Sequence, residues 1–252
     1  MISALLLIIC AYVMTSIPTG YWLVKALKGT DVRTFGSGST GATNVWRCAG
    51  PAAGIFVFCF DTLKGYIPVT AAVYFDNHGL APEWSFAYPH LIPSVVAASA
   101  LVGHSRSIFL KFQGGKSAAT GLGTLLALSP LGGLCTFITW MLIVKTSGYI
   151  SLASILGVGS CPFWFYLFGA PWAAIGYCVF GFIYVTYRHK ANIERMLKGT
   201  EPKVGDKKKP PSSDPPSSDP PTFGTSLSAG TTSSLLEAKI ITDTTSNTTE
   251  ST

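Results

Sequence analysis

Residues Ser117 to Val144 read SAATGLGTLLALSPLGGLCTFITWMLIV, and the way this stretch is divided decides the architecture of the chain. Read as one helix it adds a single long apolar span. Broken at Ser129-Pro130-Leu131-Gly132-Gly133 it adds two short ones. Proline cannot donate a helical hydrogen bond and paired glycines favour a turn, so the stretch is read as two helices. Five further apolar runs flank it: about Met1 to Val24, Pro51 to Phe75, Leu91 to Gly103 (beginning as early as Phe86), Gly148 to Phe168 and Ala170 to Tyr187. The total is then about seven.

Composition agrees with a membrane setting. The chain has 252 residues, of which 48% are hydrophobic and only 12% charged, about half the charged share of a soluble domain. The expected fold is an all-α, polytopic integral membrane bundle of about seven transmembrane helices. No Lys or Arg precedes the first run, and its length suits a span better than a cleaved leader.

Charge sets the orientation. The loop from Lys25 to Gly50 carries Lys25, Lys28, Arg33 and Arg47 against Asp31 alone, and the segment after the third run carries Arg106, Lys111 and Lys116. Arg188 to Lys209 holds eight of the eighteen basic residues. The loop from Asp76 to His90 has Asp76 and Glu83 and no Lys or Arg. By the positive-inside rule the amino terminus is expected outside and the carboxy terminus in the cytoplasm. Six spans would put Arg188, Lys190, Arg195 and Lys198 on the wrong side. Because the basic residues flank apolar runs, topology explains the net charge of +6 better than nucleic acid does.

The six cysteines include no C-x-x-C pair and the four histidines no ligand spacing, which disfavours disulfide and metal chemistry. Asp61 and Lys64 stand i, i+3 near the middle of the second run and share a helical face. Charges at that depth are paired and face the bundle. Two readings stay open, a structural ion pair or the wall of a polar cavity. Past Lys203 the chain changes character: Pro210 to Pro221 reads PPSSDPPSSDPP, and Ser and Thr dominate to Thr252. Too little apolar surface is available to offset chain entropy, so residues 203–252 are expected to be disordered, with Leu235 to Ile241 a transient helix at most.

Three polar segments fall on the cytoplasmic face. The first, Phe35 to Arg47, reads FGSGSTGATNVWR. Gly36, Ser37, Gly38 and Gly41 leave the backbone bare, so that N–H groups can converge on an anion, and Arg47 adds a planar fork for phosphate oxygens. The second contains Gly114-Gly115-Lys116-Ser117, which looks like the end of a P-loop. Its first glycine is replaced by Leu110 and no strand precedes it, so a P-loop is rejected. A glycine turn, an ammonium and a helix start remain, all suited to an anion. In the third, Arg188 to Gly199, a helix would put His189 and Asn192 on one face as a donor and acceptor pair for a polyol phosphate.

These three segments, GSGSTGATNVWR, GHSRSIFLKFQGGKSAAT and RHKANIERMLKGTE, occur in the order found in the bacterial acyl-phosphate:glycerol-3-phosphate acyltransferases. The resemblance runs from Met1 to about Lys203 and takes in Asp61-x-x-Lys64-Gly65 and the run Tyr149 to Ser154. The chain departs from that pattern at Ser39-Thr40, usually Asn-Ile; at Ser107, commonly Pro; at Ser117-Ala118, usually Gly-Val; and at Gly148, often Arg.

The resemblance implies a membrane acyltransferase domain over residues 1–202. It would pass an acyl group from acyl phosphate to the 1-hydroxyl of glycerol-3-phosphate, giving lysophosphatidic acid and inorganic phosphate in bacterial phospholipid synthesis. It implies no cofactor, no metal and no nucleic acid, with membrane lipid as surroundings and the bacterial cytoplasmic (inner) membrane as location. Ser37, Arg47, Lys116, His189 and Asn192 would be catalytic. Gly36, Gly38, Thr43, Asn44, His104, Gly114, Gly115, Ser151 and Ser154 would bind substrate. A histidine base or the departing phosphate could take the hydroxyl proton. The competing class is a small organophosphate transporter, which seven short spans and a midplane ion pair also suit. The lack of an inverted repeat and the gathering of polar residues at one face count against it.

Overall fold

A computed structural model describes residues 2–82 and 87–206. Glu83 and Phe86, named above, and residues 207–252 with the Pro/Ser repeat and Leu235 to Ile241 lie outside the described residues. The chain divides into two units, Met1–Lys208 and Lys209–Thr252. The first is all-helical among the described residues, with ten α-helices in the order α1 (Ile2–Ser16), α2 (Thr19–Lys28), α3 (Ala42–Ala49), α4 (Pro51–Asn77), α5 (Leu91–Ser105), α6 (Ala118–Leu128), α7 (Pro130–Ser147), α8 (Ile150–Leu167), α9 (Trp172–Arg188) and α10 (Lys190–Leu197).

The polarity of the bundle is that of a protein in lipid. Large apolar side chains such as Ile2, Leu5, Leu6 and Ile9 of α1, Phe56 and Ile67 of α4, and Ile183 of α9 point outward, while small residues such as Ala4 and Ala11 face in. Gly65 and Gly123 let α4 and α6 approach closely, since a Cβ at either would strike a backbone carbonyl of the other helix. At the α1–α5 contact, Ser16 donates to the Gly103 carbonyl at 3.2 Å and Ser99 to the Ile8 carbonyl at 2.9 Å.

Among the described residues, five runs are long and apolar enough to cross a membrane: Ile2–Lys28, Pro51–Asn77, Leu91–Leu110, Pro130–Ser147 and Ile150–Leu167. The chain is thus an all-α, polytopic membrane bundle. All seven expected segments are helical, but α6 has only 11 residues and α9 has 17. At ~1.5 Å per residue α6 rises ~16 Å, about half of the ~30 Å hydrocarbon.

Local chemistry explains the breaks. Between α6 and α7, Pro130 takes the first helical position and the Ser129 hydroxyl accepts from the Gly132 N–H at 3.3 Å. Pro18 likewise separates α1 from α2. The carbonyl of Ile17, in the gap, is met by the Lys64 ammonium at 2.9 Å. Lys64 also pairs with Asp61 at 2.8 Å, both side chains being almost fully buried. The ion pair therefore braces a helix break.

Candidate functional site

One cavity of about 150 Å³ opens among these helices. One end is polar and the other apolar. The polar end gathers the starts of four helices: Ala42 and Thr43 of α3, Ala118 and Ala119 of α6, Ile150 and Ser151 of α8, and His189 with Asn192 of α10 all line it. Each helix start carries free N–H groups and partial positive charge, so their convergence favours an anion.

Arg47 and Lys116 add full charges to this end. Arg47 is half-buried and has no hydrogen-bond or ion-pair partner among the described residues. Burial lowers its pKa, yet an arginine remains charged. The Lys116 ammonium donates to Asn192 Oδ1 at 2.7 Å. Burial, followed by repulsion from the Arg195 charge, brings its pKa down to about 8.

Asn192 is the hub. Its Nδ2 donates to Ser151 Oγ and to Glu201 Oε1, both at 2.7 Å. Ser151 donates to the same carboxylate oxygen at 2.5 Å, and Arg195 donates to Oε2 at 2.7 Å. Burial pushes the Glu201 carboxyl up, but the hydrogen bonds from Ser151, Asn192 and Arg195 outweigh it and hold the pKa below its usual value. Glu201 consequently stays ionised and Arg195 is consumed by it, leaving Arg47 and Lys116 for a ligand.

His189 is buried, and its Nδ1 lies 2.7 Å from the Val185 carbonyl. A carbonyl can only accept, so Nδ1 carries the proton and Nε2 presents a lone pair. Burial and then the Lys116 charge lower the imidazole pKa to about 4, so at neutral pH it is uncharged.

Ser37, Thr43, Asn44, His104 and Ser154 also line the cavity, whereas Gly36, Gly38, Gly114 and Gly115 do not. The loop N–H groups of Ser37, Gly38 and Gly115 are taken by Asn44 Oδ1 (3.1 Å), the Phe35 carbonyl (2.9 Å) and the His104 carbonyl (3.3 Å). Instead of presenting those N–H groups, the glycines make room. A Cβ at Gly36 would strike Asn44 Oδ1, and one at Gly115 would strike His104 Nε2. Asn44 knots the first loop, its Nδ2 meeting the carbonyls of Val32, Phe35 and Ser39 at 2.8–3.0 Å. Arg188 fixes the second loop by donating to the Gly115 carbonyl at 3.0 Å.

Gly36 also adopts φ +56°, a left-handed conformation. Gly36→Ala is therefore expected to lower the stability of the detergent-solubilised protein by ~1–3 kcal/mol, read as a fall in thermal unfolding midpoint. An unchanged midpoint would contradict the packing described.

Glu201 is the residue that reading the sequence missed as part of the site. Its signal was faint, a lone acid just past Gly199 at the end of a basic segment. Ser117 and Asp61 also reach the cavity wall. Ser117 stands where the resemblance expects glycine and adopts φ +62°, held by a 2.6 Å hydrogen bond to the Leu101 carbonyl.

The apolar end is formed by Phe58, Leu122, Leu125, Phe137, Val158 and Tyr177, among others. A cavity with two unpaired cations, a neutral imidazole and an apolar extension suits a phosphorylated amphiphile.

Comparison with known proteins gives one answer. The glycerol-3-phosphate acyltransferase family model matches residues 5–199. A protein of that name from Rippkaea orientalis is 45% identical over 206 residues, spanning 80% of this chain and 93% of its own. Its namesake from Desulforamulus reducens is 40% identical over 207 residues, spanning 82% and 98%. Among solved structures, PlsY (YgiH), an integral membrane glycerol 3-phosphate acyltransferase, superposes in its glycerol 3-phosphate form with a TM-score of 0.73 at 37% identity, covering 81% of this chain and 96% of that one. Its lysophosphatidic acid form gives 0.71 at 36% identity, with the same coverage.

Proposed function

The chain belongs to the glycerol-3-phosphate acyltransferase family, and we propose that its donor is an acyl phosphate and that its cavity works on the cytoplasmic face of the bacterial inner membrane. It is an integral membrane acyltransferase that acylates glycerol-3-phosphate to lysophosphatidic acid. The acyltransferase relatives leave the transporter reading without support. The basic loops and basic α10 segment support a cytoplasmic site through the positive-inside rule. Seven spans, with the amino terminus outside, remain the reading that puts all three polar segments on one side.

The observation that carries the donor assignment is the unpartnered, half-buried Arg47 beside Lys116, next to an apolar extension. The two fixed charges balance about one phosphate dianion, and the helix starts that converge on the same end add the partial positive charge that suits a second phosphate.

In the reaction, the 1-hydroxyl oxygen of glycerol-3-phosphate attacks the acyl carbonyl carbon. A new ester C–O bond forms, the bond from that carbon to the bridging phosphate oxygen breaks, and phosphate leaves with the electron pair. Arg47 and Lys116 neutralise the phosphates and the developing negative charge. His189 Nε2 accepts a hydrogen bond from the hydroxyl and orients it. The leaving phosphate, which departs with the electron pair, takes the hydroxyl proton, and the buried His189 imidazole, a weaker base than an ordinary histidine, keeps its orienting role. Holding both reactants in register can contribute ~7–11 kcal/mol to the barrier reduction. Ser37, Thr43 and Ser154 complete the polar lining, and His104 with Gly114 and Gly115 seats Lys116.

The donor is tested by offering the purified enzyme an acyl phosphate or an acyl-coenzyme A thioester with glycerol-3-phosphate. Lysophosphatidic acid should form from the first only; formation from the thioester alone would overturn the assignment.

The pH profile follows from Lys116. Its pKa in the free enzyme lies below the ordinary lysine value, so its charge is present below about pH 8 and lost above it. Accordingly kcat/KM should fall as pH rises through about 8, and Lys116→Arg should move this limb upward. On the acid side His189 stays neutral down to about 4, so the limb there belongs to substrate phosphate near ~6. A basic limb that does not move in Lys116→Arg would contradict the assignment.

A further inference from the structure

We propose that Tyr177 is the end wall of the acyl-chain pocket and sets the longest chain the enzyme accepts efficiently. The proposal rests on the acyl-transfer reading above and adds the residue that determines donor length.

The helices enter the cavity at the polar end and contribute a deepest lining residue each; on α7 it is Thr136, twelve residues before Gly148. On α6 it is Leu125, eight residues beyond Ser117; on α8 it is Val158, seven beyond Ser151. On α9 it is Tyr177, twelve residues before His189 and thus ~18 Å away along the helix. Tyr177 is buried, and its hydroxyl is hydrogen-bonded to that of Thr124 on α6. The bond ties α9 to α6 across the far end of the pocket. Beyond it the bundle is solid: Leu128, one turn further along α6, Ala174, one turn further along α9, and Phe165 of α8 all belong to the buried core. An acyl chain running inward from the phosphates passes Val185, Gly181 and Cys178 on α9 and ends against the Tyr177 ring.

One turn nearer the phosphates, Gly181 lines the same pocket on the same helical face. A Cβ there would lie 3.7 Å from Leu101 Cδ1, an ordinary contact, so alanine fits without displacing its neighbours. Gly181 keeps the route to Tyr177 open.

Two substitutions should move the preference in opposite directions. Tyr177→Leu lowers the wall and Gly181→Ala narrows the pocket above it. With saturated acyl phosphates of graded length, the long-to-short ratio of kcat/KM should rise about tenfold in Tyr177→Leu and fall about tenfold in Gly181→Ala. The KM for glycerol-3-phosphate should stay at the parent value. Stabilisation of the same proteins by lysophosphatidic acids of graded length, read as thermal shift, gives a second profile that does not depend on the donor. Opposite shifts support the wall, as does a shift in Gly181→Ala alone should Tyr177→Leu fail to fold. A shifted lysophosphatidic acid profile with no turnover of any acyl phosphate would retain the wall and reject the donor. Length profiles identical to the parent's, or changed equally at all lengths, would overturn the proposal.

Discussion

Arg47→Ala is expected to lower kcat/KM for acyl transfer by ~10²–10³-fold, the loss typical of removing one preorganised charge-stabilising donor. The expectation follows from what Arg47 does not touch. A half-buried guanidinium with no hydrogen-bond or ion-pair partner among the described residues bears a desolvation cost that the more distant Glu201 and Asp206 charges do not fully offset. The charge is thus held ready for an incoming anion. Removing it should leave the fold intact, since no hydrogen bond is lost and the attraction to Glu201 that goes with it is countered by relieved repulsion from Arg195. Arg47→Lys keeps the charge but not the two-pronged geometry, and an intermediate loss is expected. Steady-state kinetics with a parallel unfolding measurement check both points. Parent-like turnover in Arg47→Ala would remove Arg47 from the site.

Asn192→Ala should cost comparably in turnover and, in contrast, should also destabilise. Its side chain holds the Lys116 ammonium on one edge and Ser151 and Glu201 on the other. With the amide gone, Lys116 loses its anchor and the buried Glu201 carboxylate keeps only Ser151 and Arg195. Leaving such a buried group under-satisfied typically costs ~1–3 kcal/mol. The expected result is a ~10²-fold fall in kcat/KM carried by kcat as well as by the KM for glycerol-3-phosphate, together with a lowered unfolding midpoint. A lowered midpoint with unchanged kinetics would make Asn192 a scaffold residue and nothing more.

The parts of this molecule that could be read from sequence are those fixed by local chemistry. Pro130 with Gly132 and Gly133 breaks the chain between α6 and α7, and Pro18 breaks it between α1 and α2. Asp61 and Lys64, three residues apart, had to meet on one face, and they do so at 2.8 Å. What that pair braces was not legible, because the Ile17 carbonyl lies 47 residues from Lys64 along the chain.

Glu201 was invisible for a similar reason. It follows the last helix, where composition already turns polar, and its place is fixed by Ser151, 50 residues earlier. The role of the glycines was not legible either. Lacking a Cβ gives a residue both conformational freedom and free space, and sequence cannot tell which of the two a fold uses. In the loops after Phe35 and Gln113 it is mainly the space, filled by Asn44 and by the His104 ring.

The central claim is that two phosphates and one hydroxyl are assembled in a single cavity, with no covalent acyl-enzyme on the way. Purified enzyme given an acyl phosphate alone should release no inorganic phosphate. On adding glycerol-3-phosphate, phosphate and lysophosphatidic acid should appear together in equal amounts. Phosphate released before the acceptor is present would contradict the account.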